Sequence, residues 1–107
     1  MQSRAWEIKE GDLTPDYTAT LEVNGAAKDL SDAVSITFLM VGPTDSVTGP
    51  ATVVDEEVGR VSYEWQAGDT DTPDLYRAEW RVDWGAGRTQ TFPNEGYESI
   101  RIHPDLG

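Results

Sequence analysis

The chain has 107 residues, enough for one domain with a real core, and no cysteine, which excludes disulfides, thiolate zinc sites and a cysteine nucleophile. Twenty Asp and Glu face eight Lys and Arg, and the resulting net charge of −12 repels phosphate backbones and argues against nucleic-acid binding. Only Lys9 and Lys28 are lysines, and few lysines among abundant acids fits a protein from a high-salt cytoplasm as well as a merely acidic mesophilic one.

The opening MQSRAWEIKE lacks the apolar stretch of a signal peptide. The longest aliphatic or aromatic run, 38–41, is far short of a membrane span. The expectation is a soluble chain made in the cytoplasm without a signal peptide, with no membrane and no nucleic acid among its partners.

Along the chain the apolar period is two. Tyr17, Ala19, Leu21 and Val23 alternate with Thr18, Thr20 and Glu22, and Asn24-Gly25 then marks a tight turn. A single helical turn near 28–33 is compatible with the sequence but not required by it. Val34, Ile36, Phe38 and Met40 form the second alternating run, closed by Val41-Gly42-Pro43-Thr44-Asp45. A short strand is expected at about 51–54, followed by the turn Glu57-Val58-Gly59-Arg60 and a run carrying Val61, Tyr63 and Trp65. Tyr76, Ala78, Trp80, Val82 and Trp84 define the longest run, and Gly85-Ala86-Gly87 folds it into a hairpin with 88–92. Pro93-Asn94-Glu95-Gly96 breaks the chain before a last strand around 97–103, where Ile100 and Ile102 share a face.

Seven or eight short strands at regular spacing predict one all-β domain over 1–107, an antiparallel sandwich of immunoglobulin-like type with its core at about 5–103 and short loose termini. A small barrel is the alternative.

The loop between 65 and 76 holds Asp69, Asp71 and Asp74, and three chemistries compete for it. A calcium loop would need D-x-[DN]-x-[DN]-G, but Pro73 stands in the third acidic slot. A carboxylate pair would need a cleft, and the only histidine, His103, lies near the C-terminus beside Pro104. No phosphate loop or nucleophile elbow is present. No metal, cofactor or catalytic residue is therefore expected. The third reading is a tyrosine corner, in which Tyr76 closes the turn made by Asp71 and Thr72, and Ala78 stands where antibody domains place their second cysteine.

Several stretches together are similar to the N-terminal domain of phage baseplate upper proteins. They are Trp6-Glu7-Ile8-Lys9-Glu10-Gly11-Asp12, Asp29-Leu30-Ser31-Asp32-Ala33-Val34-Ser35-Ile36-Thr37-Phe38 and Gly59-Arg60-Val61-Ser62-Tyr63-Glu64-Trp65-Gln66-Ala67-Gly68-Asp69-Thr70-Asp71-Thr72. Tyr76-Arg77-Ala78-Glu79-Trp80 and Gly87-Arg88-Thr89-Gln90-Thr91-Phe92-Pro93-Asn94 continue the series. The order and spacing of these motifs span roughly 5–103, although Pro73-Asp74-Leu75 replaces a glycine common before the tyrosine.

The resemblance implies a small immunoglobulin-like virion protein of a tailed virus, made in the host cytoplasm and without catalytic residues. In that family the domain holds the protein onto the tail, while a longer C-terminal part carries the receptor-binding apparatus. Here the chain stops with the domain, so capsid decoration stands beside a tail or baseplate role. The partners expected are other virion proteins, with multimeric assembly on the particle. The alternative function is a carbohydrate- or cell-surface-binding module. Trp65, Trp80 and Trp84 all fall on the core phase of their strands, and for that role Trp84, at the end of its run beside Gly85, is the one of them expected to be most exposed.

Overall fold

Alternating side chains become eleven strands in a computed structural model that describes residues 5–93 and 96–106. The expected break at Asn94 and Glu95, and the ends 1–4 and 107, lie outside the described residues. In order the strands are β1 Trp6–Lys9, β2 Tyr17–Thr20, β3 Glu22–Val23, β4 Ala26–Ala27, β5 Ser35–Val41 and β6 Ser46–Pro50. They continue as β7 Thr52–Asp55, β8 Arg60–Tyr63, β9 Asp74–Gly85, β10 Arg88–Phe92 and β11 Glu98–His103. No helix forms among the described residues; at 28–33 the chain makes a turn in which Ala33 N–H donates to Leu30 O.

Two sheets face each other. The larger runs β1-β11-β9-β5-β6, with β10 also paired to β9; the smaller runs β2-β8-β7; β3 and β4 form a separate ribbon. All pairings are antiparallel except β1 with β11. The twelve residues of β9 are the spine. One edge of β9 carries β5 from Val41 to Ser35, and the other carries β11 and then β10.

The chain changes sheets at Ala51. Before it β6 pairs with β5, and after it β7 pairs with β8. Ala51 N–H anchors the crossing by donating to Ile36 O at 2.9 Å.

Turn chemistry follows the residues. Asn24 and Gly25 have φ of 52° and 84°, and Ala86 and Gly87 have 54° and 76°. Paired left-handed residues give the turn whose twist matches a two-residue hairpin.

The core is aromatic and joins the sheets. Tyr17 stacks on Trp80 at 5.6 Å and Tyr63 on Phe38 at 4.5 Å, each a small-sheet ring on a large-sheet ring. Offset stacking of this kind adds roughly 0.5–1.5 kcal/mol per pair to the area buried. Ile8, Met40, Ala78, Val82, Phe92, Ile100 and Ile102 are among the residues that fill the remainder.

One member of the alternating series departs from the sequence reading: Val34 is 68% exposed. It precedes β5, tied to the sheet end by its N–H to Asp83 O at 2.8 Å.

Candidate functional site

Turning the chain from β8 to β9 requires the acidic loop to satisfy its own backbone. Tyr76 O–H donates to Thr72 O at 2.7 Å, and Thr72 O–H donates to Asp45 Oδ2 at 3.1 Å. Gly42 lies against the Tyr76 ring so closely that a Cβ there would stand 2.7 Å from Cε2. Asp71 is exposed and enters the turn through its backbone N–H, which donates to Gly68 O at 3.4 Å.

The carboxylate that closes the loop is that of Asp69, which accepts from Tyr63 O–H at 2.6 Å and Gln66 N–H at 2.8 Å. Asp74 caps its neighbour, accepting from Leu75 N–H at 2.9 Å. Among the described residues no three His, Asp or Glu side chains stand grouped to hold a metal ion.

These contacts separate two substitutions. Asp69→Ala leaves two donors unpaired and is expected to cost about 2 kcal/mol, roughly a 10 °C fall in Tm. Asp71→Ala is expected to stay within about 0.5 kcal/mol of the parent in the same thermal melts.

Burial, reinforced by Glu98, Asp69 and the Asp45 and Asp74 charges respectively, raises the Tyr17, Tyr63 and Tyr76 phenols above their ordinary value of 10.0. The unfolded chain releases these protons near pH 10 while the folded chain keeps them. Stability is therefore complete below pH 10 and falls as pH rises further, by about 1.4 kcal/mol per pH unit for a buried phenol such as Tyr17. Melts should show a Tm insensitive to these groups up to about pH 10 and falling beyond it. A Tm that held steady to strongly alkaline pH would contradict this.

A second region is the outward face of the large sheet. Register places Arg77 between Val41 and Ser99, Glu79 beside Leu39, Arg81 between Thr37 and Thr91, and Leu75 beside Arg101. Val41, Leu75 and Tyr97 are 47%, 43% and 54% exposed. The Arg77 guanidinium stacks on Tyr97 at 5.5 Å. Among the described residues the one ion pair is Glu7 with His103, so none of these three arginines is matched to a carboxylate. A chain with twenty acids and eight bases thus places three guanidiniums, none paired among the described residues, on one partly aliphatic face that also carries Glu79. Part of the signal was present in the sequence: the polar phase of β9 carries Leu75, Arg77, Glu79, Arg81 and Asp83, a leucine and two arginines among the acids.

The third region surrounds Trp84. The ring is half-buried and packs against the core on one side. Lys28 Nζ lies 5.1 Å above it, and its Nε1–H donates to Gln90 Oε1 at 3.2 Å. The β9–β10 hairpin and the 28–32 loop enclose a groove of about 980 Å³ here. Sequence singled out Trp84, but only the fold brings Lys28 and Asp29 to it.

No protein-family model, curated protein or solved structure matches this chain.

Proposed function

We propose that this chain is a non-enzymatic structural protein of a tailed-virus particle, an immunoglobulin-like sandwich that docks onto an acidic protein surface of that particle through the outward face of its large sheet. The observation that carries the docking surface is the set of Arg77, Arg81 and Arg101, none paired with a carboxylate of the described residues, beside exposed Leu75, Val41 and Tyr97. Arginine and tyrosine are enriched at protein interfaces, and aliphatic side chains between them supply area to bury. Charge complementarity selects an acidic partner, because a chain of net charge −12 otherwise presents acid to its surroundings.

The assignment to a virion rests on the ordered motif series that resembles baseplate upper proteins. The Tyr76–Thr72 bond supports the immunoglobulin-like type, since a tyrosine closing the turn before its strand is a device of those sandwiches.

Quantitative mass spectrometry of purified particles from the culture that carries this gene tests the assignment. The chain is expected at a fixed copy number. Hundreds of copies mean capsid decoration, and a few to some tens mean tail or baseplate. Its absence from intact particles would overturn the proposal.

A further inference from the structure

We propose that the groove at Trp84 binds a neutral saccharide, with one pyranose ring laid on the indole. The first argument is the state of the ring. The half-buried Trp84 ring packs on the core and also carries a cation on a flexible stem, the Lys28 ammonium at 5.1 Å. A cation over the ring is held by the negative quadrupole of its face, the same surface that a sugar would use. The C–H groups on one face of a pyranose carry partial positive charge and meet an aromatic face in the same sense. The long lysine can swing aside and donate to a sugar oxygen.

The second argument is the supply of donors and acceptors. Trp84 Nε1–H fixes the Gln90 carbonyl toward itself, so the amide NH2 points elsewhere with two donors to offer. Asp29 is held by Ser31 N–H at 2.8 Å and by the Ser31 hydroxyl, and these bonds lower its carboxyl pKa and keep it an ionised acceptor. Arg88 and Asp32 also line it. Vicinal hydroxyls both donate and accept, and a wall mixing carboxylates, amide and guanidinium satisfies both.

The third argument is charge. The groove collects two bases, Lys28 and Arg88, against two acids, Asp29 and Asp32. In a chain of twenty acids and eight bases such local balance is unusual, and it favours neither an anion nor a cation. A volume of about 980 Å³ accommodates a di- or trisaccharide.

The test follows the Trp84 indole N–H by proton–nitrogen NMR while the full-length chain is titrated with cellobiose, maltose, lactose and mannobiose, with glucuronic acid and glucosamine as charged counterparts. Trp84→Phe assigns the resonance. At least one neutral disaccharide is expected to shift it saturably, with a Kd on the order of 1 mM. Asp29→Ala and Arg88→Ala, both exposed and expected to leave the fold intact, should weaken binding about tenfold each. Three results would overturn the proposal: no shift with any of the four disaccharides at about 50 mM, a shift unchanged in both alanine variants, or tighter binding of either charged sugar.

Discussion

Gly59→Ala is expected to destabilise the chain by about 3 kcal/mol or more, a fall in Tm of roughly 15 °C. Gly59 has φ of +69°, where an L side chain is strained by about 1 kcal/mol. A Cβ at this position would lie 2.6 Å from Lys28 O and 2.8 Å from Leu21 O. Neither oxygen can retreat without breaking structure, because both belong to backbone tied into the same corner. Leu21 O accepts from Lys28 N–H at 2.8 Å, and Leu21 N–H donates to Gly59 O at 2.8 Å. Gly25→Ala is the control. Its φ is +84°, but nothing lies within 4 Å of the added atom, so only the conformational cost of about 1 kcal/mol applies. Equal melting temperatures for the two variants would contradict this account of the corner.

Glu98→Ala is expected to cost about 3 kcal/mol. Glu98 lies on the inward phase of β11, in register with Ala78, and its Oε1 accepts from both Tyr17 O–H and Trp80 Nε1, the latter at 3.0 Å. One carboxylate oxygen therefore satisfies a donor from each sheet. Removing it leaves the Tyr17 hydroxyl and a fully buried indole N–H unpaired. Glu98→Gln keeps an acceptor and should lose about 1 kcal/mol, the difference between a charged and a neutral bond. The contrast with Trp65 is informative, because the buried Trp65 Nε1 has no acceptor among the described residues. Trp65→Phe removes an unsatisfied donor, whereas Trp80→Phe removes a satisfied one. In chemical denaturation Trp80→Phe should be the more destabilising of the two, and it should couple non-additively with Glu98→Ala. Independent effects at residues 80 and 98 would contradict the shared bond.

The inward residues were legible because a strand with one buried face alternates with period two. Phe38, Trp80, Val61 and Ile100 each fall on the apolar phase and each is fully buried. Glu98 breaks that phase, so the sequence carried a mark of a half-buried, inward-facing carboxylate beside Ile100 and Ile102. β6 was not legible. No alternating run marks 46–50, and Gly49 and Pro50 are poor strand formers, yet Pro50 sits on an edge strand, where a missing N–H is tolerated. Gly49 is required because a Cβ there would stand 2.9 Å from the Tyr63 ring, a contact between strands far apart in sequence.

The acidic loop was half legible. Its role as a turn closed by Tyr76 could be read from residue types. Which aspartate accepts from Tyr63 depends on Gly68, whose φ of +94° turns the chain so that Asp69, not Asp71, reaches back to that hydroxyl. Trp84 was legible as a strand-end aromatic, but Lys28 reaches it from a distant loop. The arginine face needed the register between β5, β9 and β11, because only pairing turns single polar positions into a surface.

The most direct test of the docking surface is arginine-directed labelling with phenylglyoxal, comparing the free chain with the same chain in purified particles. Arg77, Arg81 and Arg101 are exposed in the free chain, as are Arg60 and Arg88. The account predicts that in particles the first three become protected while Arg60 and Arg88 stay reactive. Unchanged labelling of Arg77, Arg81 and Arg101 in the particle would contradict it.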